Sequence, residues 1–302
     1  MGGNQTMVKR FIYNKKVAPY VFILPFMLIF LLFFISPMIN TVIMSFENVL
    51  PGSRKFVGFE NYTKLLGDKV FLIALWNSFK YMVWTLILLI PIPMILACII
   101  DSKLMVGKEF FKSALYLPAL TSVAVAGIVF RFAFGEQATS LMNKFVALFG
   151  MEPFKWLKNG TTGFIVLLFL ACWRWTGVNV LYFLSGLKNI PAELYESADI
   201  DGASTWQKFK YITIPQLRPT TIYVLTISIY AGLAMFMESY MVFNGNNSPN
   251  NIGLTIVGYL YRQGIEKNAM GYASAVGLVL FIIGMAINLV QLKLNGTFKK
   301  GD

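Results

Sequence analysis

The chain has 302 residues, of which 57% are hydrophobic and 13% are charged, and its formal net charge is +12. A soluble domain has about 25% charged residues, so this composition indicates a membrane protein and argues against a soluble enzyme. The sequence contains no histidine. This excludes histidine-based zinc proteases, Ser-His-Asp triads and histidine proton relays.

Six apolar runs are each close to the ~20 residues that a helix needs to cross a bilayer. The runs are continuous and do not alternate with polar residues, which favours helices over the strands of a barrel. We therefore predict an all-α membrane protein with one domain of six transmembrane helices. The predicted spans cover residues 18–43, 76–100, 115–134, 163–187, 220–243 and 271–292.

The distribution of lysine and arginine predicts the orientation of these spans. With the N-terminus inside, 14 of the 26 positive residues lie in cytoplasmic segments, 9 lie in outer loops and three lie within spans. Because cytoplasmic loops are richer in positive residues, we predict cytoplasmic segments at 1–17 and 294–302 around a membrane domain at 18–293. The positive residues form no basic stripe, so no nucleic-acid partner is expected.

A polar island at 188–219 separates the fourth run from the fifth. Gly202 can take the left-handed conformation that ends a helix. Ser204 and Gln207 then form a capping box that opens a second helix. The residues expected to stop this second helix are Pro215 and Pro219. The island is therefore predicted to be a helix, a sharp turn and a helix, which suits the gripping of another protein.

This island resembles the cytoplasmic coupling loop of bacterial ABC importer permeases. Their pattern is Glu-Ala-Ala, three residues, Gly, nine residues, Ile and a nearby Pro. Here Ser197 stands where the pattern most often has Ala, and Ile212 has the spacing of the Ile. The resemblance implies that the loop docks a separate ATPase chain. The residues that it assigns to this coupling are Glu196, Ala198, Asp201, Gly202, Ala203 and Pro215.

Nearly the whole chain resembles the sugar-type ABC permeases that are similar to the first maltose-transport subunit. Within that group it resembles the arabinose or arabino-oligosaccharide permeases of Gram-positive bacteria, through segments 43–46, 112–121, 173–175 and 199–206. The resemblance implies a type I importer permease fold, alternating access and a bacterial plasma membrane location. The implied partners are a second permease in a heterodimer, an ATPase dimer at the cytoplasmic face and an extracellular sugar-binding protein.

The sequence contains no Gly-x-x-x-x-Gly-Lys-Ser/Thr phosphate-binding loop. If ATP drives transport, the nucleotide and its magnesium must therefore bind to the partner ATPase. We expect no cofactor, no metal site and no catalytic residue on this chain, which is predicted to be a transport subunit.

Trp175, Asn179 and Tyr182 recur at helical spacing in the fourth run, so they share one face of a helix. Aromatic rings beside amide and guanidinium groups suit a sugar, which has apolar ring faces and polar hydroxyls. The resemblance places a transient sugar site on the fourth and fifth spans. The expected substrate-path residues are Arg174, Trp175, Val178, Asn179, Tyr182, Ser228, Gly232 and Glu238.

Two of these residues, Arg174 and Glu238, also allow a structural interpretation. A charge in the middle of a membrane costs at least about 2.5–3.5 kcal/mol, so such residues face a cavity or a partner charge. They either form an ion pair, contact a partner permease or lie on the substrate path. The alternative function is an ion-coupled secondary transporter of a small polar solute, for which Glu238 is the main support. A channel or a lipid-modifying enzyme is a more distant alternative.

Overall fold

A computed structural model of the protein describes residues 15–102, 104–246 and 248–295. These residues form two compact units, one made of 15–64 with Gln263–Leu278 and one made of Leu65–Arg262 with 279–295. The predicted cytoplasmic segments 1–17 and 294–302 lie mostly outside the described residues, so their placement stays a prediction.

The first unit begins with a long apolar helix that is exposed along its length. Helices α1 (Ala18–Phe30) and α2 (Ser36–Ser45) continue into each other through a π-helical turn, and together they give a span of 28 residues. No residue of α1 is buried. A continuous exposed apolar surface is typical of a segment that contacts lipid or another membrane chain. The first predicted span is confirmed.

A small β-hairpin follows, which the all-α prediction does not include. Strands β1 (Glu47–Leu50) and β2 (Ser53–Phe56) pair antiparallel, with Glu47 opposite Phe56. Helix α3 (Glu60–Gly67) comes next. Its buried Asn61 donates hydrogen bonds of 2.9 Å to the carbonyl oxygens of Ser45 and Glu47, which fixes the helix against the end of α2.

The second, fourth and sixth predicted spans are also confirmed. Helices α4 (Lys69–Leu89) and α5 (Pro91–Asp101) form one apolar span with a break before Pro91, where the missing N–H interrupts the helical hydrogen bonds. The fourth span is the unbroken helix α9 (Gly160–Leu187). The sixth span is α16 (Met270–Leu294).

The third predicted span, 115–134, is bent. Helix α6 (Lys108–Tyr116) leads into a 3-10 turn at Leu117–Leu120, and helix α7 (Val123–Ala133) leaves it at an angle of 95°. Thr121 and Ser122 have extended ψ angles of 141° and 135°. The predicted third span therefore contains a bend, because Pro118 and these two residues interrupt the helix.

The fifth predicted span, 220–243, is broken into two helices. Helix α13 (Arg218–Leu233) has 16 residues, and α14 (Met237–Val242) begins after Phe236, whose φ of −143° is not helical. Four helices of the described residues are long and apolar enough to cross a membrane, or five if the bent pair counts as one span. The predicted count of six transmembrane helices is therefore not exact, because an apolar composition does not require an unbroken helix.

The polar segments carry short helices. Outside the 188–219 island they are α3, described above, α8 (Leu141–Ala147) and α15 (Ile256–Tyr261). Within the island they are α10 (Ala192–Ile200), α11 (Thr205–Lys208) and α12 (Ile214–Gln216). A π-helical turn at Phe209–Thr213 joins α11 to α12, so the helical path continues past Pro215. The expectation that Pro215 ends this helix was wrong. Pro215 stands in the first turn of α12, where a missing N–H is tolerated.

Helix α9 lies at the centre of the second unit. One buried apolar cluster joins it to α4, α7 and α14, and includes Tyr81, Phe130, Leu170 and Val242. Another cluster joins it to α5 and α13, and includes Met94, Phe183 and Val224. Because both clusters include side chains of α9, this helix packs against α4, α5, α7, α13 and α14.

Candidate functional site

One face of α9 lines a cavity inside the second unit. The cavity has a volume of about 280 Å³ and is bounded by α4, α9, α13 and the start of α14. It brings together seven of the eight residues that the sequence predicts for a substrate path. These are Trp175, Val178, Asn179, Tyr182, Ser228, Gly232 and Glu238. Their function stays a prediction, but the predicted helix face is the one that meets the cavity.

The sequence analysis missed the opposite wall, which α4 supplies. Tyr81, Thr85 and Leu89 line the cavity and recur every four residues, so they also share one helix face. Tyr81 and Thr85 are polar residues at this spacing in an apolar run, and they were the signal from which this wall could have been predicted. Gly232 allows α13 to approach this wall, because a Cβ there would lie 2.8 Å from the Cα of Met82.

Asn179 has a structural role as well as its position on the cavity. It is 6% exposed, and its Nδ2 donates a hydrogen bond of 2.8 Å to the carbonyl oxygen of Leu89. In a regular helix that carbonyl would accept from the N–H of residue 93, but Pro93 has none. Asn179 therefore satisfies an acceptor that the proline leaves without its helical partner, and it ties α9 to the break between α4 and α5.

Arg174 lies behind the cavity wall and connects two interrupted spans. Its Nη1 is 3.5 Å from Oε1 of Glu238, and its Nη2 donates to the carbonyl oxygen of Thr121 at 3.3 Å. Thr121 is at the bend between α6 and α7, and Glu238 follows the break between α13 and α14. Arg174 and Glu238 therefore form an ion pair, which is one of the three roles that the sequence analysis left open for them. Glu238 lines the cavity too, and its contact with substrate stays a prediction.

The other two charges within the predicted spans lie away from this cavity. Nη1 of Arg131 donates to Oδ1 of Asn244 at 2.5 Å. The ammonium group of Lys80 lies 4.3 Å from the centre of the Phe164 ring. Neither Arg131 nor Lys80 lines the cavity. Among the described residues that line it, Glu238 is the charged one.

The first helix of the polar island ends in the predicted turn. Gly202 has a φ of +72°, in the left-handed region that favours glycine. Its N–H donates to the carbonyl of Asp199 at 3.1 Å, and the N–H of Ala203 donates to the carbonyl of Ala198 at 2.9 Å. These two bonds form a Schellman motif, which satisfies the last carbonyls of α10.

The second helix of the island opens with the predicted capping box. The N–H of Ser204 donates to Oε1 of Gln207 at 2.7 Å, and the N–H of Gln207 donates to Oγ of Ser204 at 3.3 Å. These bonds satisfy two N–H groups at the start of α11. The turn and the cap together give the island a defined backbone.

Two side-chain contacts lock the island into one body. The hydroxyl groups of Tyr195 and Thr213 are 2.8 Å apart, and Nζ of Lys208 is 2.5 Å from Oδ1 of Asp199. Each contact joins the first half of the island to the second.

The surface of this body is unusually apolar for a polar segment. The exposed fractions are 88% for Ile200, 67% for Trp206 and 67% for Tyr211. Large apolar groups that remain exposed on a defined surface are typical of a protein interface. Of the predicted coupling residues, Ala198 and Ala203 are half-buried, and the exposed ones are Glu196, Asp201, Gly202 and Pro215.

Residues 107–299 match the protein family described as binding-protein-dependent transport system inner membrane component. The chain belongs to this family. The matched range contains the polar island and three of the helices that bound the cavity, α9, α13 and α14. Membership makes the chain a multi-pass membrane protein and a permease subunit of an ABC transporter, which is a transport component and not an enzyme.

Comparison with known proteins gives relatives along nearly the whole chain. The arabinooligosaccharides transport system permease protein AraP of Bacillus subtilis is 55% identical over 95% of this chain and 91% of its own length. The protein of the same name from Halalkalibacterium halodurans is 48% identical over 97% of this chain and 92% of its own. Both are described as permease proteins, so the predicted family is confirmed.

A solved structure confirms the fold. A chain of a bacterial ABC transporter involved in the import of the polysaccharide alginate has a TM-score of 0.83 and 24% sequence identity, and the match covers 94% of this chain and 96% of the other. The importer permease fold predicted from the sequence is therefore correct, apart from the span count. Family membership also sets aside the alternative of an ion-coupled secondary transporter.

Proposed function

We propose that this chain is the permease subunit that moves an arabinose-containing oligosaccharide, or another small oligosaccharide, into a bacterial cell. The observation that carries the proposal is the 55% identity with an arabinooligosaccharide permease over 95% of the chain. An extracellular binding protein delivers the sugar, and a second, different permease completes the pathway. A separate ATPase dimer binds ATP and magnesium.

The chemistry of the 280 Å³ cavity supports a neutral sugar as its substrate. The ring of Trp175 is 38% exposed and can stack on the apolar face of a sugar ring. Ser228, Asn179 and Tyr182 offer hydroxyl and amide groups, and the carboxylate of Glu238 can accept hydrogen bonds from sugar hydroxyls. A few polar groups set among apolar walls give a pocket its orientation and specificity.

The polar island at 188–219 would transmit the work of the ATPase. Its exposed Ile200 and Trp206 would dock on that partner, and its internal ties would make it move as one body. ATP binding would favour one packing of the spans and hydrolysis the other. The energy enters as a difference in affinity between two packings, with no chemistry on this chain.

The transport proposal is tested in proteoliposomes that contain both permeases and the ATPase dimer. Uptake of radiolabelled arabinotriose should require ATP and the sugar-loaded binding protein, and unlabelled arabino-oligosaccharides should compete. Trp175→Ala should reduce uptake while the ATPase still co-purifies. Trp84→Ala is the matched control, because Trp84 is 47% exposed and does not line the cavity. Uptake driven by an ion gradient without ATP would refute the proposal.

The orientation is tested separately with single cysteines in a background without Cys98 and Cys172. Glu193 lies in the island and Lys155 in the 134–159 segment, and both are exposed. A membrane-impermeant maleimide applied to intact cells should label Lys155→Cys and should leave Glu193→Cys unlabelled. The opposite pattern would place the island outside the cell and remove its coupling role.

A further inference from the structure

Arg174 lies behind two residues that line the 280 Å³ cavity. Its guanidinium carbon is 5.2 Å from the centre of the Trp175 ring, and its Nη1 is 3.5 Å from Oε1 of Glu238. Arg174 is 5% exposed and does not itself line the cavity. It can therefore respond to a bound sugar through these two side chains.

The ion pair between Arg174 and Glu238 is longer than a fully formed one. A guanidinium nitrogen and a carboxylate oxygen normally approach to about 2.7–2.9 Å, and here they are 3.5 Å apart. In the part of the chain that the structure describes, Nε of Arg174 has no hydrogen-bond partner. A carboxylate can accept about four hydrogen bonds, and the described residues give Glu238 this one long contact. The carboxylate therefore keeps acceptor capacity for a ligand in the cavity that it lines.

Arg174 also holds the bend of the third span. Its Nη2 donates to the carbonyl oxygen of Thr121 at 3.3 Å, and Thr121 follows the 3-10 turn that ends at Leu120. Glu238 belongs to α14, which begins after the break at Phe236. One guanidinium group therefore joins the two interrupted spans. Both of its hydrogen bonds are longer than the usual range of about 2.7–3.2 Å, so neither costs much to exchange.

We propose that Arg174 is a positioning residue that links the occupancy of the cavity to the two interrupted spans. Sugar hydroxyls donate to the Glu238 carboxylate and compete with Arg174 for it, so a bound sugar loosens the tie between the bend and the break. The loaded cavity thereby favours the change of packing that transport requires. When the sugar leaves, the carboxylate returns to Arg174. This inference rests on the proposed function, because it requires a sugar in this cavity.

The inference predicts an effect of unusual sign. A bound ligand ordinarily stabilises the backbone around its site and slows hydrogen exchange there. The N–H of Thr121 donates to the Pro118 carbonyl at 3.1 Å, and the N–H of Tyr240 donates to the Phe236 carbonyl at 2.9 Å. These two bonds lie at the two interruptions, so a looser tie should make both amides exchange faster.

The test is hydrogen exchange, measured by mass spectrometry, on the complete transporter in mixed micelles with and without saturating arabinotriose. The loss of one weak hydrogen bond should speed exchange in the peptides that contain Thr121 and Tyr240 by about twofold to tenfold. Exchange in the cavity wall at 81–89 should slow at the same time, because the sugar covers it. In Glu238→Gln the ion pair is already lost, so arabinotriose should no longer speed exchange at either interruption.

The matched control is Glu136→Gln, which removes an ion pair away from this cavity. Nζ of Lys158 is 2.7 Å from Oε2 of Glu136, and neither residue lines the cavity. Asn143 holds the surrounding 135–158 segment, because its Oδ1 accepts from the N–H of Phe154 at 3.0 Å. In this control variant, arabinotriose should still speed exchange at both interruptions.

Slower exchange at both interruptions in the presence of sugar would overturn the inference, because the ligand would then tighten the tie. Faster exchange that persists in Glu238→Gln would also overturn it, since the carboxylate would not carry the effect. If the unaltered transporter imports arabinotriose with ATP but the interruptions do not respond, only this inference fails. If it imports no arabino-oligosaccharide, the proposed function fails as well.

Discussion

Asn179 gives the sharpest prediction, because the structure assigns it a role that does not depend on substrate. Replacement by leucine keeps the branching and the number of heavy atoms of the side chain but removes the donor to the Leu89 carbonyl. A buried polar group without a partner costs about 1–3 kcal/mol. We therefore expect Asn179→Leu to lower the free energy of unfolding by about this amount.

The decisive comparison is to repeat Asn179→Leu in a protein that already carries Pro93→Ala. In Pro93→Ala, the new N–H can donate to the Leu89 carbonyl and restore the helical hydrogen bond that the proline removes. A carbonyl has two lone pairs, so this bond does not displace Asn179. Asn179→Leu should then cost less, and the difference between the two backgrounds should be about 0.5–1.5 kcal/mol, the net value of one hydrogen bond.

The measurement is a denaturant titration of the purified transporter in mixed micelles, for the four members of this double-mutant cycle. Asn288→Leu is the matched control, because Asn288 donates to the Gly284 carbonyl at 2.9 Å and has no link to Pro93. Its cost should be the same in both backgrounds. An equal cost of Asn179→Leu in the two backgrounds would refute the role assigned to this amide.

Three further predictions follow from contacts described above. Gly202→Val should strain the left-handed turn by about 1–2 kcal/mol and abolish uptake in proteoliposomes while the complex still assembles, whereas Gly202→Asn should be tolerated. Arg174→Met leaves the Glu238 carboxylate without its partner and should cost about 3–5 kcal/mol in a denaturant titration, and adding Glu238→Leu should restore most of that loss. Asn143→Leu should speed hydrogen exchange at the N–H of Phe154, measured by mass spectrometry, because that N–H loses its acceptor.

Each of these has an outcome that would contradict it. Normal uptake by Gly202→Val would show that coupling to the ATPase does not require the turn at Gly202. A double variant no more stable than Arg174→Met would mean that the cost comes from lost packing and not from an unpaired carboxylate. Unchanged exchange at Phe154 would show that other contacts hold the 135–156 segment closed.

The sequence predicted features that depend on local rules. The Schellman turn at Gly202 and the capping box at Ser204 are set by a few neighbouring residues, and both occur as expected. The shared face of Trp175, Asn179 and Tyr182 follows from helical periodicity alone, and it is the face that meets the cavity.

The sequence could not predict features that depend on contacts between distant elements. The break at Phe236 has no proline to mark it. It accompanies the packing of α14 on α7, where a Cβ on Gly127 would lie 2.5 Å from the Cβ of Met241. Pro118 was a local signal for the bend that follows it. The run around it is apolar enough for a single span, so the composition gave no reason to divide it. The α4 wall of the cavity required knowledge of which helices are neighbours.

The nearly continuous helical path from α11 through the π-helical turn to α13 restricts how this segment can change in evolution. A helix advances by about 100° per residue, so a single insertion between 205 and 233 would turn the proposed docking surface around Trp206 away from its present direction relative to the membrane helix. Insertions and deletions in related chains should therefore be absent from this stretch. Side chains along it remain free to vary one at a time, so its length should be preserved more strictly than its composition.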